Sequence, residues 1–239
     1  QMNPEKLVDD EIVDKKNLLE SYNLKLASAF CLYPPESRLV SSDSSVLRRN
    51  TKYIKALVEV SSKVDCQTLT FGGAKQRNIP ADIPKEKGLQ ILVELLKEGG
   101  KTGKDYGVRI AVEPINRFES NALNRFSEVI EIVRRVECEA VGVTADVYHM
   151  DIEETSISNS IREAGDLIWH THISDSNRDV PGFGKIDFGR TIRILKEIGY
   201  DGYLSMELAT LAPSYPNKTL TLGPEEALAK AKKHLESFS

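Results

Sequence analysis

Residues 141–172 read VGVTADVYHMDIEETSISNSIREAGDLIWHTH, two apolar runs separated by a polar stretch with helical spacing. The first run, Val141-Gly-Val-Thr-Ala-Asp146, and the last, Leu167-Ile-Trp-His-Thr-His172, are short, and each ends in a side chain that can ionise or bind a metal. Between them, Ile157–Ala164 carries its apolar residues at helical intervals. Strand, helix and strand in that order make a βαβ unit with parallel strands and a right-handed crossover.

The alternation continues outward in both directions. Upstream, strand-like runs lie at Leu24–Phe30, Cys66–Phe71 and Val108–Glu113, and downstream at Tyr203–Glu207. Helical patterns cover Pro4–Tyr22, Ser45–Lys63, Lys85–Tyr106, Ala122–Val136, Phe188–Ile198 and Pro224–Ser237. Ser44 or Ser45 is placed to cap its helix, Gly199 ends another, and Pro224 with Glu225 and Glu226 opens the last. Repeated βα units imply an α/β fold with a parallel sheet, either doubly wound or closed as a barrel. No GxGxxG follows the first strand and no GxxxxGK[ST] occurs, which weakens the nucleotide-binding version. No Pro/Gly/Ser linker divides the chain, so residues 1–239 are expected to form a single domain.

Of 239 residues, 40% are hydrophobic and 28% charged, the balance of a globular protein, and the formal net charge is -4. The one dense basic cluster is short, Lys230–Lys233, so nucleic acid is not an expected partner. No apolar run approaches the roughly 20 residues of a membrane span, and no signal-peptide core stands at the start. The three cysteines, Cys31, Cys66 and Cys138, form no CxxC, which argues for a cytoplasmic protein with no disulfide framework and no cysteine zinc site.

Four strand-like runs end in Glu113, Asp146, His172 and Glu207, at intervals of 33, 26 and 35 residues, one βα period each. In a barrel the C-terminal ends of successive strands meet at one mouth. A polar residue at one strand end merely enters a loop; four on successive strands gather three carboxylates and an imidazole. Such a cluster is unfavourable in a partly dry cleft unless a cation compensates. Oxygen-rich ligation with one nitrogen points to one divalent ion, Mn2+ or Co2+ first and Mg2+ or Zn2+ after them.

The flanking residues carry a family resemblance. Glu113-Pro-Ile-Asn116-Arg117-Phe-Glu119, Asp146-Val-Tyr-His149, His170-Thr-His172-Ile-Ser-Asp-Ser-Asn-Arg178 with Pro181-Gly-Phe-Gly184, and Ser205-Met-Glu207 resemble the D-tagatose/D-psicose (D-allulose) 3-epimerases. These belong to the xylose-isomerase-like TIM barrels, so the resemblance implies a (β/α)8 barrel. It covers the chain from about Glu5 to the C-terminal helix, and the family's first strand, first helix and second strand have no counterpart here. The resemblance implies metal ligation by Glu113, Asp146, His172 and Glu207, acid/base work by Glu113 and Glu207, and binding of the sugar's C1–C3 oxygens by Glu119, His149 and Arg178. It implies inversion at C3 of a ketohexose or related keto-sugar through a metal-stabilised enediolate, in a homo-oligomer, dimer or tetramer.

The same chemistry one carbon away would make an aldose–ketose isomerase, and a barrel without turnover would keep the metal site alone. Smaller expectations attach to the neighbours. His170 is expected to face away from His172, Trp169 to be core, and His234 to be surface. Arg117 is expected to pair with a carboxylate, Asn116 to bond a site carboxylate or shape the turn, and Glu153 and Glu154 to be solvated.

Overall fold

Six strands form one parallel sheet in which each strand pairs with the next in chain order. They are β1 (Ala29–Phe30), β2 (Thr68–Phe71), β3 (Arg109–Val112), β4 (Val141–Asp146), β5 (Ile168–Ile173) and β6 (Leu204–Met206). This computed structural model describes residues 9–30, 33–208 and 220–238. Eight α-helices alternate with the strands among the described residues: α1 (Asp9–Ser21), α2 (Ser44–Lys63), α3 (Lys85–Tyr106), α4 (Phe126–Val136), α5 (Val147–Glu153), α6 (Ile157–Ala164), α7 (Phe188–Glu197) and α8 (Pro224–Glu236).

The sheet curls back on itself. The Phe30 ring from β1 lies 5.2 Å from the His172 ring on β5, and Ser28 Oγ lies 2.9 Å from His170 Nε2, across three intervening strands. This is the wall of a partial barrel, with helices outside. Alternation along each strand sorts side chains between the two sides. Leu69, Phe71, Ile110, Val112, Val141 and Val143 pack outward into one core cluster with Ile54, Leu57, Leu92, Leu96, Val129 and Ile130 of the helices. The inner side is polar: Thr144 Oγ1 of β4 donates to the Ala111 carbonyl of β3 at 3.3 Å.

Register fixes what stands at the strand ends. Ala111 pairs with Gly142, and Asp146 pairs with His172. Between β4 and β5 the register shifts, because Val143 pairs with Ile168 but Thr144 pairs with His170. The extra residue is Trp169, a β-bulge whose ring lies against Gly142 with the Arg109 guanidinium 5.3 Å above it. Trp169 is therefore partly exposed rather than core.

Several boundaries differ from the sequence expectation. Asp43, not a serine, caps α2 by accepting from Ser45 N at 2.7 Å. The helix expected from Ala122 starts at Phe126, because Asn124 Nδ2 donates to the carbonyls of Ile115 and Ser120 and holds the preceding residues as a loop. The short helix α5 was not foreseen. His170 and His172 share a face, as residues two apart on a strand must, and their rings meet edge-on at 5.0 Å. His234 is partly buried, its ring 5.0 Å from Phe238. Residues 4–8 of the first expected helix, and Cys31, fall outside the described residues.

Candidate metal centre

The side chains at the C-terminal ends of β3, β4, β5 and β6 converge. Glu113 follows β3, Asp146 ends β4, His172 lies within β5 and Glu207 follows β6. Each offers a ligand atom, and these atoms all lie within 4.8 Å of one another. Glu113, Asp146 and His172 are buried and Glu207 is partly so. Main-chain bonds extend the ladder to hold the two glutamates: Glu113 N donates to the Phe71 carbonyl at 3.0 Å and Glu207 N to that of Ile173 at 3.1 Å.

One ring nitrogen faces all three carboxylates. His172 Nδ1 is 2.6 Å from Glu113 Oε1, 2.9 Å from Glu207 Oε2 and 3.8 Å from Asp146 Oδ2. Nδ1 carries at most one proton, so it cannot satisfy both near oxygens. Of the carboxylate oxygens in the cluster, Glu207 Oε2 is buried without a hydrogen-bond donor among the described residues. Arg178 is the guanidinium in contact with the cluster, 2.8 Å from Asp146 Oδ2 and 3.1 Å from Glu207 Oε1. Three carboxylates converge on one imidazole and only Arg178 pairs with their side chains among the described residues, so negative charge is in excess and a divalent cation would offset it. The donor set, the orphaned oxygen and the charge deficit all fit such an ion.

Proton affinities in the cluster diverge. Burial raises the Glu113 carboxyl above the usual range, with His172 opposing and Glu207 reinforcing the shift. Burial acts on Glu207 too, but His172 and Arg178 outweigh it and leave that carboxyl lowered. Asp146 is held far down in spite of burial by Arg178, His149 and His172.

Asp146 has a second task. Its Oδ1 accepts from the main-chain N–H groups of Tyr148 at 2.8 Å and His149 at 3.1 Å, capping α5 and bringing His149 beside the cluster. His149 Nδ1 lies 2.8 Å from Asn116 Nδ2 and 3.3 Å from Asn116 N. Both are donors, so Nδ1 accepts and the ring proton sits on Nε2. The Asn116 amide is fixed at both ends, since its Nδ2 also donates to Glu119 Oε1 at 2.8 Å and its Oδ1 accepts from Phe118 N at 3.0 Å. Asn116 thus both bonds a carboxylate and shapes the turn, and it links Glu119 to His149. All seven expected site residues gather at this one mouth.

Two neighbours differ from expectation. Glu153 is buried, not solvated, and takes the Arg117 guanidinium at 2.7 Å and the Arg117 N–H at 2.6 Å. Glu154 accepts from Phe126 N at 2.8 Å and from Ser160 Oγ at 2.6 Å. Sequence reading also missed Arg77, which is fully buried beneath Glu113. Its guanidinium donates to the carbonyls of Glu113 at 2.6 Å, Leu123 at 2.9 Å and Gly72 at 3.2 Å. Burial draws its pKa down to about 10, an effect that Glu113 offsets in part. No motif surrounds Arg77; only the folded chain brings three carbonyls to it.

A profile of the xylose isomerase-like TIM barrel family matches residues 2–238. The chain belongs to that family. Family members similar to this chain include the D-psicose 3-epimerase of Ruminiclostridium cellulolyticum, 34% identical over 73% of this chain and 60% of that protein. The D-psicose 3-epimerase of Agrobacterium fabrum is 32% identical over 73% of this chain and 61% of its own. The chain thus spans roughly three fifths of the length of these curated relatives. Among solved structures, the D-psicose 3-epimerase of Clostridium cellulolyticum H10 with D-tagatose superposes with a TM-score of 0.83 at 26% identity, over 98% of this chain and 83% of that one. A structure of L-ribulose 3-epimerase gives a TM-score of 0.85 at 22% identity, over the whole of this chain and 83% of the other, a likeness of fold.

Proposed function

We propose that this chain is a divalent-metal-dependent ketose 3-epimerase, acting on a ketohexose or a related keto-sugar. The observation that carries the reading is the meeting of two unlike carboxylates, Glu113 and Glu207, on one imidazole within a four-ligand cluster. Relatives named D-psicose 3-epimerase and L-ribulose 3-epimerase support it.

Inversion at a carbon beside a ketone removes a proton from one face and returns one to the other. Glu113 and Glu207, the two carboxylates nearest the His172 imidazole, suit the base and the acid, and the direction of the reaction sets which is which. The C3 proton passes to one carboxylate while the electron pair of the C–H bond moves toward the ketone oxygen. The other carboxylate then delivers a proton to C3 on the opposite face, and the roles exchange in the reverse direction. A divalent cation held by Glu113, Asp146, His172 and Glu207, with Mn2+ or Co2+ suited to that donor set, supplies Lewis-acid stabilisation of the negative charge that develops on oxygen. Arg178 and His149 place donors at the sugar oxygens, and Glu119 completes the grip as an acceptor. The Asn116 bonds to His149 Nδ1 assign the ring proton to Nε2, which suits that group as a donor to a substrate oxygen.

The test is incubation of the Mn2+-loaded protein with D-fructose in D2O. D-psicose carrying deuterium at C3 is the expected product. Glucose or mannose would make the chain an aldose–ketose isomerase. Absence of C3 exchange across a panel of ketopentoses and ketohexoses overturns the reading.

A further inference from the structure

Arg178 stands in a backbone conformation that a residue with a side chain rarely adopts, with φ at +62°. The bonds that surround this turn centre on a residue three positions earlier. Asp175 is fully buried, yet no arginine, lysine or histidine pairs with its carboxylate among the described residues. The carboxylate instead gathers three main-chain N–H groups from its own loop. Oδ1 accepts from Ser176 at 2.8 Å and Ile186 at 3.1 Å, and Oδ2 accepts from Gly182 at 2.9 Å. Its main chain closes the inner turn: Arg178 N donates to the Asp175 carbonyl at 2.7 Å, and Asp175 N donates to that of Asp179 at 2.8 Å.

The loop is shaped around that carboxylate. A Cβ on Gly184 would overlap Asp175 Oδ1, so only glycine lets the chain pass so close. Downstream, Asp179 Oδ2 accepts from Thr221 N at 2.9 Å and Thr221 Oγ1 at 2.6 Å, pinning the loop's middle to the segment before α8. The Arg178 side chain runs over the Tyr148 ring at 4.5 Å and reaches Asp146, Glu207 and, at 3.2 Å, Ser174 Oγ.

We infer that Asp175 is a positioning residue for Arg178: its carboxylate, by collecting the loop's N–H groups, holds the left-handed turn that aims the guanidinium into the site. This inference rests on the reading of Arg178 as a group that binds sugar oxygens. It assigns Asp175 no contact with substrate or metal.

Asp175→Asn keeps the size of the side chain but turns an amide N–H2 toward N–H donors, and Gly184→Ala disturbs the same contact from the other side. Both are first checked for an intact fold by circular dichroism. In either folded variant, kcat/KM for D-fructose with Mn2+ should fall by roughly 10- to 100-fold, the scale of misplacing a catalytic group by about an ångström. Mn2+ affinity should stay within about 3-fold of the parent, and Asp175→Asn should add almost no loss when Arg178 is already alanine, because coupled residues are non-additive. Equal losses from Asp175→Asn with and without Arg178 would overturn the inference. A second readout needs no turnover. In protein labelled with 15N-arginine, the Arg178 guanidinium signals, identified by their loss in Arg178→Ala, should collapse to freely rotating values in Asp175→Asn; unchanged signals would also overturn it. Were the parent protein to show no C3 exchange, the proposed function would fail, and the guanidinium signals would still decide the case for Asp175.

Discussion

His170 and His172 stand two residues apart on β5 and meet opposite conditions. Burial works against charge on both rings, but at His172 the carboxylates of Glu113 and Glu207 win and raise the pKa well above 6.5. At His170 burial dominates, His172 adds to it, and the pKa falls to about 3. An unfolded His170 titrates near 6.5, so between 6.5 and 3 the unfolded chain binds the extra proton. This contribution to stability is complete above pH 6.5 and is lost as the pH falls. Its slope is at most about 1.4 kcal/mol per pH unit. His170→Gln should flatten the acid limb of a urea-denaturation series between pH 6.5 and 4.5; an unaltered limb would count against it. Glu207 allows a second expectation. Glu207→Gln should cut C3 exchange by at least about 100-fold, as loss of an acid/base group does, and weaken Mn2+ binding while the melting temperature barely moves. Near-parental turnover would remove Glu207 from the proton-transfer role. The site's four clustered side chains were legible because each ends an apolar run. Arg77 was not, since its three partners are carbonyls, which every residue has.

Among the elements, α3 shows how a backbone can be set by what it must approach. Gly103, one turn before the helix ends at Tyr106, has no room for a side chain: a Cβ there would overlap the Val108 carbonyl oxygen at the entry to β3. The same glycine's carbonyl accepts from Val108 N at 2.8 Å, tying the helix end to the strand start. Gly103→Ala would gain about 1 kcal/mol in helix propensity but force apart main-chain atoms, at a cost of about 1–3 kcal/mol or more. The net result expected is a lower urea midpoint with weakened alignment of Glu113, read as a drop in Mn2+ affinity. A higher midpoint would refute the close approach. At this scale the strands and long helices were readable from periodicity. The helix α5 was hidden because Val147, Tyr148 and Met150 are buried on nearly all sides and give no amphipathic rhythm. The same-face pairing of the two histidines required only the two-residue repeat of a strand.

For the whole molecule, the division between an apolar jacket outside the sheet and a polar lumen inside makes the mouth the place where charge collects. Removing metal with EDTA should abolish activity, and Mn2+ or Co2+ should restore it. At a free concentration of 100 times Kd, Mn2+ should also stabilise the fold by about 2.7 kcal/mol, seen as a rise in melting temperature. Activity that survives verified metal removal would defeat the mechanism. The order of strands and helices made a parallel α/β sheet legible and the family resemblance implied its closure as a barrel, whereas the curl that brings Phe30 to His172 was visible only in three dimensions. Asp146 is at once a corner of the cluster and the cap of α5, while Glu207 receives no capping bond from any helix in the described residues. A lineage descended from this chain could therefore fall catalytically silent at Glu207 and keep its architecture, but would find Asp146 hard to discard. Sequences that had drifted into other uses would betray their ancestry by an aspartate retained at the helix start after the glutamate had gone.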